Sequence, residues 1–277
     1  MTTPSAPAAV RRIAKNFSGV IGVAACDLNT GEEVLLNADL VFPTASMVKI
    51  GILLELLRQR EAGKLELSEP LTVRKTDKTA GSGLLENMSD EVTLPLHDIA
   101  VLMNAISDNT ATNVLIDRLG RANINRAMRA AGMTHTRLYR KIVFSAGRKL
   151  KYPNFATGTP RDFMTLMTRL YAGQLLNPAN SEAMLDIMRV QKNMGNLTRY
   201  IAFNPYGRDQ TAWVASKTGS INGVRNETGI LHSRRGAHVV SVMTKRCTDK
   251  RWTPDNEGTV AVAKMSKAIA DHFHNGY

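Results

Sequence analysis

The chain has 277 residues, of which 43% are apolar and 5% aromatic, and its 36 lysines and arginines exceed its 24 acidic residues by 12. This length and composition are typical of a globular protein with one large domain or two intertwined ones, and they exclude disordered and fibrous proteins. The longest strongly apolar stretch, residues 50–57, is interrupted by Gly51 and Glu55. It is far shorter than the roughly 18 apolar residues that cross a bilayer, so we expect no membrane partner.

The predicted elements begin with strands and continue with helices. A short helix that ends near Asn16 precedes a β-hairpin, in which residues 20–27 and 34–36 flank an Asn-Thr-Gly turn at residues 29–31. Apolar side chains at helical spacing then predict a helix over residues 46–60. The same helical period recurs in the middle of the chain, at residues 96–106, 111–119, 123–131, 161–172 and 181–190.

The pattern returns to strands near the end of the chain. Strands are predicted at residues 211–219, 225–232 and 237–245, and a last helix at residues 259–272. Strands at both ends with helices between them predict an α/β fold of the α+β type, with an antiparallel sheet built from both chain ends and flanked by helices, plus an all-helical lobe. We expect residues 1–42 and 205–277 to form the sheet subdomain and residues 43–204 the helical one, together making one catalytic unit.

The first residues and the cysteines bear on the compartment. The chain reaches Arg11 and Arg12 before any apolar run, so the pattern of a secretory signal is missing and we expect a cytoplasmic protein. Cys26 and Cys247 allow at most one bridge, which a core of this size does not need. We expect both to be buried thiols.

Most of the positive surplus lies in one segment. Residues 118–161 contain eleven lysines and arginines and no acidic residue. Such a segment is compatible with a nucleic acid, an anionic membrane face or an acidic ligand. No nucleic-acid-binding module is recognisable and aromatic residues are scarce, which disfavours a nucleic acid partner. A non-catalytic basic binding protein therefore stays open only as an alternative.

A serine and a lysine three residues apart open the first long helix of the middle region. Ser46 and Lys49 lie on the same face of such a helix, so the amine reaches the hydroxyl and acts as a base. The N–H groups and positive partial charge of a helix N-terminus favour an alkoxide or the oxyanion of an attacked carbonyl. Taken alone, the pair more often marks an N-cap serine beside a solvated lysine.

Two further motifs follow in chain order. Ser-Asp-Asn at residues 107–109 falls in a short connection between two predicted helices, and Lys-Thr-Gly-Ser at residues 217–220 falls at the end of a predicted strand. Each motif alone is explained by an ordinary N-cap or by a strand that runs into a turn. The three motifs in this order and context together indicate a serine enzyme.

These motifs resemble those of the class A serine β-lactamases and the related penicillin-recognising enzymes. The matching segments are FPTASMVK, SDNTATN and KTGSINGVRNETGIL, and the resemblance runs over nearly the whole chain. The layout of a terminal sheet and a helical lobe is also similar to the fold of that family. The resemblance implies a serine hydrolase or acyltransferase that acts on C–N bonds of amides or lactams.

The resemblance implies a role for each matched residue. Ser46 would attack the carbonyl and form an acyl-enzyme, Lys49 would help to remove its proton, and Ser107 would relay a proton to the departing nitrogen. The backbone N–H groups of Ser46 and Ser220 would form the oxyanion hole.

The resemblance also implies the groups that hold the substrate. Asn109 would hold the substrate's side-chain amide, whereas Lys217, Thr218 and Gly219 would bind the substrate carboxylate. Arg225, in the next predicted strand, would supply a bidentate partner for the same anion. The alternative for Arg225 is a surface arginine on a strand.

The sequence departs from the family in one respect. Class A β-lactamases carry a glutamate between the second and third motifs, which activates the water that hydrolyses the acyl-enzyme. Residues 140–155, where that acid is expected, contain no carboxylate. Asn154 can hold a water but is not a base at neutral pH. The nearest acids are Asp117 and Asp162, and the latter is expected to cap the next helix.

We therefore expect an enzyme that acylates readily on a β-lactam, amide or ester and releases the acyl group slowly to water. The alternative is a transacylase or D,D-peptidase-like enzyme that passes the acyl group to an amine. The expected partner is a small substrate with a carbonyl and a carboxylate. The sequence has neither metal-ligand spacing nor a dinucleotide or Walker loop, so no metal and no cofactor is predicted.

Overall fold

A computed structural model describes residues 6–143, 155–201, 204 and 211–274. The helices are α1 (Ala8–Lys15), α2 (Lys49–Glu61), α3 (Leu96–Ala105), α4 (Asn109–Leu119), α5 (Arg121–Ala130), α6 (Pro160–Tyr171), α7 (Pro178–Arg189) and α8 (Glu257–His274). The strands are β1 (Val20–Asp27), β2 (Glu33–Leu36), β3 (Phe42–Pro43), β4 (Pro70–Arg74), β5 (Glu91–Pro95), β6 (Arg137–Leu138), β7 (Ala156–Gly158), β8 (Trp213–Ile221), β9 (Val224–Ser233) and β10 (Gly236–Lys245). The helices and strands predicted from the sequence lie within a few residues of these bounds.

The central sheet confirms the predicted fold class. Its strands follow the order β2-β1-β10-β9-β8, and neighbouring strands are antiparallel. The first strand of the chain therefore pairs with the last, with Val20 opposite Lys245. Strand β8 is an edge of this sheet, and it contacts α7 and the turn that precedes α2. This contact joins the sheet to the helical part of the protein.

Apolar side chains cover both faces of the sheet. Strand β1 is buried along nearly its whole length. On one face, Ala24 belongs to the core that includes Phe163 of α6. On the other face, the alternate residue Val23 belongs to the core that includes Val262 of α8. Helix α2 lies at the centre of the first core and is buried continuously from Lys49 to Leu57.

Some features of the fold were not predicted. Helix α6 falls within the range assigned to the helical subdomain, yet it packs on β1 and β10 of the sheet. Strands β3, β7 and β6 form a small second sheet, and β4 pairs with β5. Strands of two or three residues show no alternation in sequence, so periodicity cannot reveal them. The subdomain boundaries given above stay a prediction.

Cys26 and Cys247 are buried free thiols, as predicted. Within the described parts of the chain, no helix combines the length and apolarity that a membrane span needs. The cytoplasmic location stays a prediction.

Candidate active site

Ser46 lies on a short 3₁₀ turn that runs directly into helix α2. The turn covers Ala45–Val48 and the helix begins at Lys49, so the regular helix predicted from Ser46 begins three residues later. Ala45 has a positive φ of 47°, which is uncommon for a residue with a side chain. Ser46 is partly exposed, whereas the residues on both sides of it are buried. The turn therefore leaves the candidate nucleophile accessible on a buried support.

The Lys49 side chain is buried and lies against the second motif. Its Nζ lies 2.7 Å from Ser107 O, 3.1 Å from Ser107 Oγ and 3.1 Å from Asn109 Oδ1. Burial lowers the pKa of this amine well below its ordinary value, the charge of Lys217 lowers it further, and Asp108 opposes the shift. A neutral amine accepts a proton from a nearby hydroxyl, which is the property that a general base needs.

The second motif lies between α3 and α4 and is fixed by the central aspartate. Ser107 has a positive φ of 59°. Asp108 caps α4 by accepting from Ala111 N at 2.9 Å. Its other carboxylate oxygen accepts from Leu84 N at 2.7 Å and from Leu85 N at 3.0 Å. A carboxylate that holds three N–H donors keeps the residues on either side of it in one arrangement.

Asn109 is buried, and its amide has partners on both sides. Its Oδ1 accepts from Lys49, and its Nδ2 donates to Ala80 O at 3.0 Å. Its backbone N–H donates to Ser82 O at 2.8 Å. The segment around Ala80 is thereby held beside the site. A contact between Asn109 and a substrate amide would use the second lone pair of Oδ1.

Strand β8 brings the third motif against the turn that carries Ser46. A Cβ atom added to Gly219 would lie 2.5 Å from Thr44 O, 2.8 Å from Met47 N and 3.0 Å from Ser46 N. Only glycine allows two backbones to approach so closely. Ser220, the next residue, is partly exposed. The first and third motifs therefore meet backbone to backbone.

A buried carboxyl group lies on the strand beside Lys217. Glu227 of β9 is opposite Thr218 and is 2% exposed. Its Oε1 accepts from Ser216 Oγ at 2.7 Å and its Oε2 accepts from Leu197 N at 3.0 Å. The motif comparison did not identify Glu227. An acidic residue in the middle of a predicted strand was the available signal.

Lys217 and Glu227 shift each other's ionisation. Lys217 is fully buried and donates to Thr218 O at 3.1 Å. Burial lowers the pKa of Lys217 to about 7, and the charge of Glu227 opposes this shift. Burial raises the pKa of Glu227 to about 7, against the effect of its two hydrogen bonds and of Lys217. Both groups therefore change charge near neutral pH.

Arg225 lies opposite Ser220 in the sheet, but backbone carbonyl groups hold its side chain. Its guanidinium donates to three backbone carbonyl oxygens at 2.8–2.9 Å, those of Ile221, Val224 and Arg251. It also lies 4.4 Å from the ring centroid of Trp252. Arg225 is opposite Ser220, three residues beyond Lys217, so Arg225 and Lys217 point to opposite faces of the sheet. Sequence spacing did not reveal this register.

The acid-free loop is described only at its ends. Residues 144–154, which include Asn154, lie outside the described residues. At the loop's start, Asn113 holds Ile142 by two hydrogen bonds, from Asn113 Nδ2 to Ile142 O at 2.9 Å and from Ile142 N to Asn113 Oδ1 at 2.8 Å. The second motif and this loop are therefore joined through helix α4.

The acids nearest to the loop have partners elsewhere. Asp117 forms an ion pair with Lys141 at 2.6 Å. Asp162 is buried, and one of its oxygens accepts from His135 N and from Thr136 Oγ1, both at 2.8 Å. Its backbone N–H is the group that Thr159 caps at the start of α6. The sequence had led us to expect that the Asp162 side chain caps α6. The cap is formed by Thr159 instead.

Known proteins match the chain over most of its length. The pattern of the Beta-lactamase enzyme family matches residues 6–273. The beta-lactamase of Rhodobacter capsulatus is 27% identical over 268 residues, which cover 94% of this chain and 85% of that protein.

Solved structures share the fold. The crystal structure of a beta-lactamase from Sphaerobacter thermophilus DSM 20745 has a TM-score of 0.86 and 31% identity, covering 96% of this chain and 95% of that one. A point mutant of PBP-A, in an acyl-enzyme complex with penicillin G, has a TM-score of 0.82 and 28% identity, covering 99% and 100%. The matched length and the shared fold show that this chain belongs to the Beta-lactamase enzyme family and is a serine hydrolase of the class A β-lactamase type.

Proposed function

We propose that the enzyme forms an acyl-enzyme on Ser46 with a β-lactam, amide or ester carbonyl and releases the acyl group slowly to water. The observation that carries this proposal is the position of Lys49, whose buried Nζ lies within 3.1 Å of both Ser107 and Asn109. The pKa of this amine is lowered. Gly219 lies against the backbone of Ser46, so the third motif lies beside the serine of the first motif and the second motif lies beside its lysine.

In the acylation step, Ser46 Oγ attacks the carbonyl carbon while its proton passes to the neutral amine of Lys49. The C–N bond breaks as Ser107 delivers its hydroxyl proton to the leaving nitrogen. Lys49 then replaces that proton, since its Nζ lies 3.1 Å from Ser107 Oγ. The backbone N–H groups of Ser46 and Ser220 stabilise the oxyanion. The proton taken from the serine is thereby balanced by the one delivered to the nitrogen.

The substrate is a small molecule with a carboxylate, held by Lys217, Thr218 and Gly219. Among the described residues, no carboxylate forms an ion pair with Lys217, and its hydrogen bond goes to the carbonyl of Thr218. A buried ammonium without a direct counter-ion is stabilised by an anion that enters its site. Asn109, whose Oδ1 accepts from Lys49, would contact the substrate's amide.

Slow hydrolysis follows from the missing carboxylate. Water needs a base to attack the acyl-enzyme, and residues 140–155 offer none. The neighbouring Asp117 and Asp162 are engaged with Lys141 and with the residues before β6. A similar protein, the point mutant of PBP-A, is known as an acyl-enzyme complex with penicillin G. Penicillin G is therefore the first probe for this chain.

The test is intact-protein mass spectrometry after the enzyme is mixed with penicillin G. Opening of the lactam adds the whole molecule, and we expect this added mass to persist on Ser46 for many minutes. Ser46→Ala should show no adduct. Ser233→Ala, a change at the far end of β9, should react like the unaltered enzyme. Rapid hydrolysis of excess penicillin without an adduct would contradict slow deacylation.

An amine acceptor is the second candidate, in a transacylase or D,D-peptidase-like reaction. It is favoured by the same missing base, because a neutral amine attacks an ester without the help that water needs. Hydroxylamine or a D-amino acid added to the isolated acyl-enzyme should then form an amide faster than water forms the acid. Equal rates of adduct loss with and without the amine would exclude this candidate.

A further inference from the structure

A polar cavity lies between helix α5 and strand β6, apart from the residues of the three motifs. Its volume is about 400 Å³. Three arginines line it, namely Arg121, Arg129 and Arg137, together with His135, and its lining includes no aspartate or glutamate. All four lie in the acid-free segment that carries most of the protein's positive surplus.

The backbone positions of the arginines are fixed by packed elements, and their side chains are exposed. Arg121, Asn125 and Arg129 follow one another at intervals of four residues on α5, so they share one helix face that spans about 12 Å. Asn125 binds β6 to this face, since its Nδ2 donates to Leu138 O and its Oδ1 accepts from Leu138 N, both at 2.9 Å. Arg137, the residue before Leu138, is thereby kept beside the helix.

These arginines differ from other basic residues of the same segment in lacking carboxylate partners. Ion pairs are formed nearby by Arg118 with Glu69, Lys141 with Asp117 and Arg161 with Asp39. In the part of the chain that the structure describes, none is formed by Arg121, Arg129 or Arg137. His135 lies 3.7 Å from Asp162, so we do not count it among the available charges. Guanidinium groups around one cavity repel one another until an anion enters.

We propose that this cavity binds a small anion with two or three linked phosphate groups, such as pyrophosphate or the phosphate end of a nucleotide. Guanidinium groups bind phosphate oxygens through paired N–H donors. Three arginines match the charge of roughly −3 that two linked phosphates carry at neutral pH. A face about 12 Å long holds two or three phosphates, whereas single-stranded nucleic acid usually contacts at least about four nucleotides. Part of the positive surplus of residues 118–161 would thus serve to bind a small phosphate-containing ligand.

The test is calorimetric titration of the whole chain at fixed ionic strength with pyrophosphate, with ADP and with a short single-stranded DNA. The double variant Arg129→Gln/Arg137→Gln removes two of the three charges. The matched control is Arg126→Gln, because Arg126 is exposed on the same helix, donates to Asn123 Oδ1 and does not line the cavity. Acylation of Ser46 by penicillin and the melting temperature verify that each variant is folded.

We expect pyrophosphate and ADP to bind the unaltered chain and Arg126→Gln equally. The double variant should bind both about tenfold more weakly or worse, because two charge-assisted contacts are lost. Tighter binding of ADP than of pyrophosphate would identify a nucleotide, and equal binding would identify the phosphates alone as the recognised group. Three results would overturn the proposal: no binding of either phosphate, equal binding by the double variant, or binding confined to DNA.

Discussion

Replacing Glu227 with glutamine tests whether this buried carboxylate keeps Lys217 charged. Glutamine has nearly the same shape, and it can accept from Leu197 N and donate to Ser216 Oγ in place of the two present hydrogen bonds. The substitution therefore removes the charge while leaving the packing. The pKa of Lys217, now about 7, should fall because the charge that opposes its desolvation is lost.

The size of this effect follows from the strand register. Glu227 is opposite Thr218 and next to Lys217 along β8, with strands about 4.8 Å apart and the two side chains on opposite faces, so the charges are separated by about 10 Å. When Glu227 is ionised, the two charges attract each other by about 1.7 kcal/mol at an effective dielectric constant of about 20. Loss of this attraction in Glu227→Gln therefore lowers the pKa of Lys217 by about one. At pH 7.5 the protonated fraction of Lys217 then falls from about one quarter to about 3%.

The assay is the second-order rate of Ser46 acylation by penicillin between pH 5.5 and 8.5. For the unaltered enzyme the rate should decline above pH 7 as Lys217 loses its proton. In Glu227→Gln the rate at pH 7.5, where Glu227 of the unaltered enzyme is mostly ionised, should be about eightfold lower. At pH 5.5, where Glu227 is mostly protonated, the two rates should be similar. An activated ester without a carboxylate should not show this difference, because it does not need the charge of Lys217.

Glu55→Gln is the matched control. Glu55 is also a buried carboxylate, and it lies on α2, where its Oε1 accepts from Gln59 Nε2. It should leave the pH profile unchanged. Superimposable profiles for Glu227→Gln and the unaltered enzyme would refute the electrostatic link between Glu227 and Lys217. A uniform loss of rate at every pH would show instead that Glu227 acts only through packing.

Three further predictions concern the supports of the site and the fold. Gly219→Ala puts a Cβ 2.5 Å from Thr44 O, so penicillin acylation should slow by at least about 100-fold; an unchanged adduct rate would show that the strand and the turn can separate freely. Asp108→Ala leaves three N–H groups without their acceptor and should cost about 3 kcal/mol of unfolding free energy in urea, whereas a cost below about 0.5 kcal/mol would contradict its role. His238 is buried with its pKa lowered to about 3, so its stabilising contribution is complete above pH 6.5 and falls as the unfolded chain takes up the proton. At pH 4.5 the unaltered protein should therefore have lost about 3 kcal/mol of unfolding free energy through this group. His238→Phe should remove that part of the pH dependence, and equal pH dependence in both proteins would contradict this.

The sequence predicted well what depends on local periodicity. Helix α2 and the strands β1 and β8–β10 are long enough for their apolar spacing to show. The three motifs could be assigned to a serine enzyme because each has a recognisable context. Strands β3, β6 and β7 are too short for a period, and they form only because tertiary contacts bring them together.

The parts of the site that escaped prediction depend on backbone geometry or on register between strands. The positive φ of Ala45, which shapes the turn at Ser46, is unexpected for alanine, so residue type gives no sign of it. Arg225 was expected at the substrate carboxylate, but the register that pairs it with Ser220 puts its side chain on the face opposite to Lys217, where it donates to backbone carbonyl oxygens. The same register puts Glu227 beside Lys217, although the two residues are ten positions apart in sequence.

The surroundings of Lys49 connect the two halves of the proposed reaction, acylation and slow hydrolysis. Because burial lowers the pKa of Lys49, this amine gives up its own proton more readily and can then take the proton of Ser46, so acylation does not require a carboxylate. Its partners Ser107 and Asn109 are uncharged acceptors, and burial disfavours the ammonium form, which drives the proton on towards the leaving nitrogen. In deacylation a water must be deprotonated beside an ester on Ser46, and Lys49 is held at the second motif by three close contacts. Residues 140–155 add no carboxylate to take over, so under the proposed mechanism this loop supplies no base for hydrolysis of the acyl-enzyme.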